Sequence, residues 1–223
     1  MRVSFLVDGF NVYHSALALN KQLAREAAKL GGGAAVASTK WLDLRAMLGS
    51  VLPHIDKSAQ LHEVHYFSAL AHYREAQSPG TVQRHTNYID CLKDTGVIVH
   101  LGQFKEKDAG CKQCGARWKR PEEKETDVAI ATTLLELVCG NQCDIAMIVG
   151  GDTDLAPAFH AAKRMAPNKP VGFVFPYDRS NSSLALLSRP LHVKLKQQRY
   201  TAHQFANPHI CADGRQISKP ATW

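Results

Sequence analysis

Five short runs rich in β-branched or aromatic residues punctuate the chain: Val3–Val7, Glu63–Phe67, Val97–Leu101, Ile145–Val149 and Val171–Phe175. Between them lie longer stretches with helical spacing, roughly Val12–Leu30, Leu42–Leu52, Gly80–Asp94, Asp127–Val138 and Leu155–Met165. Strand and helix in alternation predict an α/β fold in three layers, with a mostly parallel central sheet and helices on both faces. The near-continuous apolar character of the runs fits strands covered on both sides. At 223 residues the chain can build one substantial domain. We place that domain at 1–196, with a basic insertion at 102–124, and expect 197–223 to be a polar tail packed on the surface.

Several classes drop out early. No apolar run approaches the roughly 18 residues of a membrane span, and Asp8 cuts Val3–Val7 too short for a secretory h-region. The expectation is a complete, cytoplasmic protein. Six cysteines in a chain this long do not read as a disulfide framework. Gly31 to Ala35 reads as a flexible loop before a helix beginning near Thr39, without the Lys-Ser/Thr of a phosphate-binding loop. A net charge of +7 suits a polyanion partner, although basic proteins without one are common.

The acids carry the chemistry. In open α/β sheets ligands bind at the carboxyl ends of the strands. Asp8 follows the first run and Asp152 and Asp154 follow the fourth, so neighbouring strands would bring three carboxylates into one crevice. Asp127 shares a helical face with Ile130, Ala131 and Leu134, which places it at a first turn and facing inward. The helix dipole alone also favours an acid there. Each acid has an ordinary alternative as turn former or cap: Asp154 could cap the helix from Leu155, and Asn11 could cap the helix after Asp8. Two unit charges 4 Å apart repel by about 4 kcal/mol at an effective dielectric of 20. A crevice of four carboxylates therefore calls for protonation or a cation. All-oxygen ligands suit Mg²⁺ or Mn²⁺ rather than zinc.

The stretches VDGFN (7–11), EKETDVAIA (123–131) and GGDTDLAP (150–157) resemble, in order and spacing, the three acidic motifs of NYN domains. These form a branch of the PIN-like nuclease superfamily. The similarity runs over roughly residues 1–175, and the final KPATW resembles the tails of bacterial relatives. Gly150 stands where a Ser is frequent and Leu155 where an aromatic is, but no carboxylate is lost. The resemblance implies a Rossmann-like PIN fold and metal-dependent hydrolysis of RNA phosphodiesters that leaves a 5′-phosphate. By motif, Asp8, Asp127, Asp152 and Asp154 would be the catalytic and Mg²⁺- or Mn²⁺-binding acids, with Asn11 auxiliary.

The insertion holds CKQCG and seven basic residues. Cys111 and Cys114 have the spacing of half a structural zinc site, for which His100, Cys139 and Cys143 are the candidate further ligands. Plain cysteines or redox chemistry are the alternatives. CxxCG insertions of this kind occur in many NYN relatives. Lys112, Arg117, Lys119 and Arg120 could neutralise RNA phosphates while Trp118 stacks on an unpaired base. Interspersed acids fit a solvated loop equally well.

Two readings result: a ribonuclease acting on single-stranded RNA, or a nucleic-acid-binding regulatory module that cleaves weakly or not at all. A haloacid-dehalogenase-like enzyme would need an Asp at position 10, which is Phe10. A manganese-binding Asp-x-Asp of a glycosyltransferase leaves Asp8 and Asp127 unexplained.

Overall fold

The computed structural model describes residues 1–29 and 38–223. The expected glycine-rich loop at 31–35 and the predicted helix end at Leu30 lie outside the described residues. The chain opens with β1 (Arg2–Asp8), which runs directly into α1 (Gly9–Lys29). Then follow α2 (Leu44–Gly49), β2 (Gln60–Ala69), α3 (Thr81–Asp94), β3 (Ile98–Gly110) and β4 (Arg117–Lys124). The second half carries α4 (Thr126–Cys139), β5 (Ile145–Val149), α5 (Ala156–Met165), β6 (Val171–Phe175), α6 (Ser182–Leu187) and β7 (His192–Lys194). The last segment forms α7 (Gln197–Ala202) and a small hairpin of β8 (His209–Ile210) and β9 (Gln216–Ile217).

Among the described residues seven strands form one sheet in the order β4-β3-β2-β1-β5-β6-β7, parallel except for β4. This is the expected α/β architecture with a mostly parallel sheet. From β1 the chain first builds outward through β2 and β3, then crosses to β5, β6 and β7 on the other side. The strand order thus reverses between β1 and β5, with Val7 opposite Val149. In open α/β sheets such a reversal opens a crevice at the carboxyl ends of the strands.

Period-two alternation supplies both layers of the core. Val3, Phe5 and Val7 of β1 and Ile145, Met147 and Val149 of β5 pack under α1, α2 and α3. Leu6, Ala146 and Ile148 point the other way, against Ile130, Leu134 and Phe159 of α4 and α5. A one-residue slip of either strand would exchange the two cores. No helix among the described residues is long and apolar enough to cross a membrane.

The insertion is not a solvated loop. β3 continues past the sheet and pairs antiparallel with β4 from Gln103↔Lys124 to Gly110↔Arg117, forming a long hairpin. Pro121 is tolerated because β4 is an edge strand. The segment after Gln197 also departs from expectation. Tyr200 is fully buried, and Phe205, Cys211 and Ile217 join the same core as Trp41. The Tyr200 hydroxyl hydrogen-bonds Ser15 at 2.8 Å and accepts the Tyr177 N–H at 3.1 Å. Sparse aromatics anchor this stretch, although its overall composition is polar.

Candidate active site

The predicted acids lie around the reversal point, close enough to feel one another's charge. Asp8 ends β1 and is almost fully buried. Its Oδ1 accepts the Asn11 backbone N–H at 2.9 Å, capping α1, and its Oδ2 accepts a hydrogen from the Asn11 side-chain amide. The remaining Asn11 oxygen accepts the Gly151 N–H at 3.3 Å. Asn11 therefore bridges the end of β1 to the loop after β5; the helix cap is Asp8 and not Asn11.

That loop, Gly150 to Asp154, needs its glycines for different reasons. A Cβ on Gly151 would lie 2.1 Å from the Arg179 carbonyl oxygen, whereas one on Gly150 would make ordinary contact with Asp8. Asp152 caps the short turn Thr153–Leu155, its Oδ1 accepting the Asp154 N–H at 3.0 Å. The cap is thus Asp152 and not Asp154, which is left exposed.

Asp127 approaches from α4. Ile130 and Leu134 are buried as expected, but Asp127 itself is exposed and Thr126 is the buried residue of the first turn. The Cα–Cβ bonds of a helix tilt toward its N-terminus. An acid in the first turn accordingly points past the helix end, into the crevice and not onto the sheet. Glu125, with φ of 84°, turns the chain from β4 into α4, a left-handed conformation that costs about 1–2 kcal/mol. The Glu123 carboxylate offsets it by accepting the Thr126 N–H at 3.2 Å and the Thr126 hydroxyl.

Electrostatics tie these segments together. Burial pushes the Asp8 carboxyl up to about 6, against the lowering effect of the Asn11 hydrogen bonds and with further raising by Asp127 and Asp152. Asp127 is also raised, first by the protein around it and then by Asp152, Glu123 and Asp154. The side chain is open to solvent, so a cation can reach it. Glu123 is a fifth acid of this crevice that sequence reasoning missed, although it opens the EKETD stretch. The carboxylates do not form a closed cage: among the described residues, the one set of ligand atoms within 4.8 Å of one another is Asp94, His209 and Cys211. There the Asp94 oxygens already accept the Ala212 N–H and hydrogen-bond His209 Nε2, both at 2.8 Å, which fastens β8 to α3.

The donor set suits a hard divalent ion: hard carboxylate oxygens that repel one another and, apart from the buried Asp8, are reachable from solvent. Asp8, Asp127, Asp152 and Asp154 are the residues that would hold it.

The insertion residues lie elsewhere. Lys112, Arg117, Trp118, Lys119 and Arg120 are exposed around the hairpin tip. At about 3.3 Å per residue, Arg117 is about 20 Å along the hairpin from its base at Lys124. Lys119 is paired with Glu106 at 2.6 Å. Cys111 and Cys114 occupy the turn, where no third ligand joins them among the described residues. The further ligands expected for zinc are remote: His100 faces His65 within the sheet, Cys143 is buried before β5, and Cys139 ends α4.

A cavity of about 620 Å³ adjoins the acid crevice. Gly9 and Phe10, directly after Asp8, form part of its wall, as does Glu123. Nothing in the sequence pattern pointed to it, because its lining is gathered from α1, Lys40, the end of β2, the segment from Ala71 to Ser78, α3, Phe104 of β3 and Trp223.

Comparisons with known proteins bear on the fold and the family. A crystal structure of a protein of unknown function, VPA0982 from Vibrio parahaemolyticus RIMD 2210633, is similar with a TM-score of 0.51 and 18% identity, over 88% of this chain and 93% of that one. At that identity the likeness concerns the fold. No curated protein matches. The family model described as NYN domain matches residues 2–188. The chain therefore belongs to the NYN domain family, within the PIN-like nuclease superfamily.

Proposed function

We propose that this protein is a Mg²⁺- or Mn²⁺-dependent ribonuclease that hydrolyses phosphodiester bonds of single-stranded RNA. One observation carries the reading: carboxylates from three distant segments lie around the strand-order reversal, and Asp8 and Asp127 are both raised, by burial first and then by neighbouring carboxylates. Family membership, with its nuclease-like fold, supports the same class. Asp8, Asp127, Asp152 and Asp154 would bind the ion. When bound, such an ion lowers the pKa of a coordinated water and neutralises charge developing on phosphate. Asn11 is a positioning residue that orients Asp8 and links it to the loop bearing Asp152. Glu123 orders the start of α4 and thereby Asp127. The hairpin residues Arg117, Trp118 and Arg120 would give a longer RNA an outlying contact.

The test uses end-labelled single-stranded RNA with Mn²⁺. Cleavage that leaves 5′-phosphate ends, stops with chelator and is lost in Asp152→Asn supports the reading. Asparagine keeps an acceptor for the Asp154 N–H, so the loop is retained. The wider spacing of the carboxylates favours a second reading, a regulatory module that binds nucleic acid. RNA binding without product under the same conditions would establish it instead.

A further inference from the structure

We propose that the cavity beside the acid crevice is a subsite for one unpaired nucleotide of the bound strand, its base held among aromatic rings and its phosphate by Arg74, Arg84 and Lys40. The inference rests on the nucleic-acid reading above and adds where, and in what form, the strand is gripped.

Size comes first. About 620 Å³ falls within the few hundred to a thousand Å³ typical of small-ligand pockets, and a nucleotide is a ligand of that scale. A duplex would not enter it.

The chemistry of the walls comes next. Arg84 is fixed by neutral acceptors, the Pro79 carbonyl at 2.9 Å and the hydroxyls of Ser78 and Thr81 at 3.1 and 2.9 Å. Lys40 donates to the Thr222 carbonyl at 2.9 Å. Among the described residues neither they nor Arg74 forms an ion pair. They also crowd one another and their neighbours. Lys40 is lowered by burial and by Arg84, and His14 by burial and then by Arg179 and Arg74. Arg84 and Lys40 are held in place without carboxylate partners, with exposed Arg74 beside them; such cations make an anion site, and arginine forks suit phosphate.

Aromatic surface faces the same space. Tyr13 and Tyr73 are 36% and 43% exposed, so their rings are free to stack. Phe104 meets Phe10 and Tyr73 edge-on at 5.8 and 4.9 Å, forming a continuous ring-lined wall from Asp8 outward. Trp223 closes the opposite side, 6.5 Å from Tyr13. Rings for the base and cations for the backbone are the combination by which proteins bind single strands without reading sequence. The cavity is cationic where the adjoining crevice is anionic, so a strand seated here carries its next phosphate toward the acids.

The experiment measures binding with cleavage switched off: a fluorescent oligoadenylate, in chelator, followed by anisotropy. Tyr73→Ala and Arg74→Ala remove exposed side chains without hydrogen-bond partners, and each should weaken binding about tenfold, the scale of one stacking contact or one phosphate contact. Arg84→Ala should do the same, with thermal unfolding to separate lost binding from a loosened α3. Adenosine 5′-monophosphate should compete in the wild type, and blunt duplex RNA should compete poorly. Lys57→Ala, a surface change remote from the cavity, should bind like wild type. Unchanged affinity in both Tyr73→Ala and Arg74→Ala overturns the proposal, as does competition by duplex as strong as by single strand. Chelator makes the two readings separable. Pocket-dependent binding with no cleavage on adding Mn²⁺ sinks the nuclease alone, and cleavage with unaffected variants sinks the subsite alone.

Discussion

Asn11 holds Asp8 twice, through its backbone N–H and its side-chain amide, and spends its remaining oxygen on Gly151. A buried carboxylate is thereby kept competent to ionise, because both hydrogen bonds favour the charged form. In Asn11→Ala the Asp8 carboxyl should titrate at a higher pH than its native value of about 6. NMR titration of ¹³C-labelled aspartate carboxyls in chelator tests this. An unmoved titration would remove the positioning role.

The same carboxyl makes the fold pH-sensitive. Asp8 has a folded pKa of about 6 against 3.8 when unfolded, so the folded state binds the proton more tightly. That contribution is fully present below pH 3.8 and is lost as pH rises through 6. Without divalent metal, Asp8→Asn should be more stable than wild type at pH 8 by up to about 3 kcal/mol, at 1.36 kcal/mol per pKa unit. The gain should vanish near pH 4. Paired urea melts at the two pH values decide it.

Divalent ions should stabilise the protein in the opposite pH sense. Protons and metal compete for Asp8 and Asp127, both raised, so the Mn²⁺-induced rise in Tm should be small at pH 5 and grow toward pH 7.5. In Asp152→Asn the rise should shrink markedly. Thermal shift with and without Mn²⁺ reads both, and a pH-independent effect would contradict metal binding at these acids.

The paired glycines should respond differently. Gly151→Ala drives a Cβ to 2.1 Å from the Arg179 backbone oxygen, so something must move, at a cost of about 1–3 kcal/mol. Displacing this loop also misplaces Asp152, so cleavage should fall with stability. Gly150→Ala meets Asp8 at 3.5 Å and should change urea stability by less than about 0.5 kcal/mol.

The sequence pattern made the five core strands legible because each is an apolar run flanked by helical periodicity. Asp8 and Asp152 could be read from strand ends alone, once the carboxyl edge of the sheet was known as the ligand side. The hairpin escaped notice because charge pairs such as Lys119–Glu106, rather than apolar alternation, accompany its register. Asp127 pointed outward, not inward, because a first-turn side chain projects beyond the helix end. The cavity was illegible for a different reason. Lys40, the stretch holding Arg74 and Arg84, and Trp223 come from three separate parts of the chain, the last more than a hundred residues beyond the others, and no local spacing encodes their meeting.

Trp223 packs edge-on against Trp41 at 5.9 Å and near Tyr88 at 5.4 Å, so it closes a chamber whose other walls all come from residues up to Glu123. The wall that Trp223 supplies is thus remote in sequence from every candidate metal-binding aspartate. Trimming back Trp223 alone would therefore leave Asp8, Asp127, Asp152 and Asp154 in place while opening one wall of the cavity.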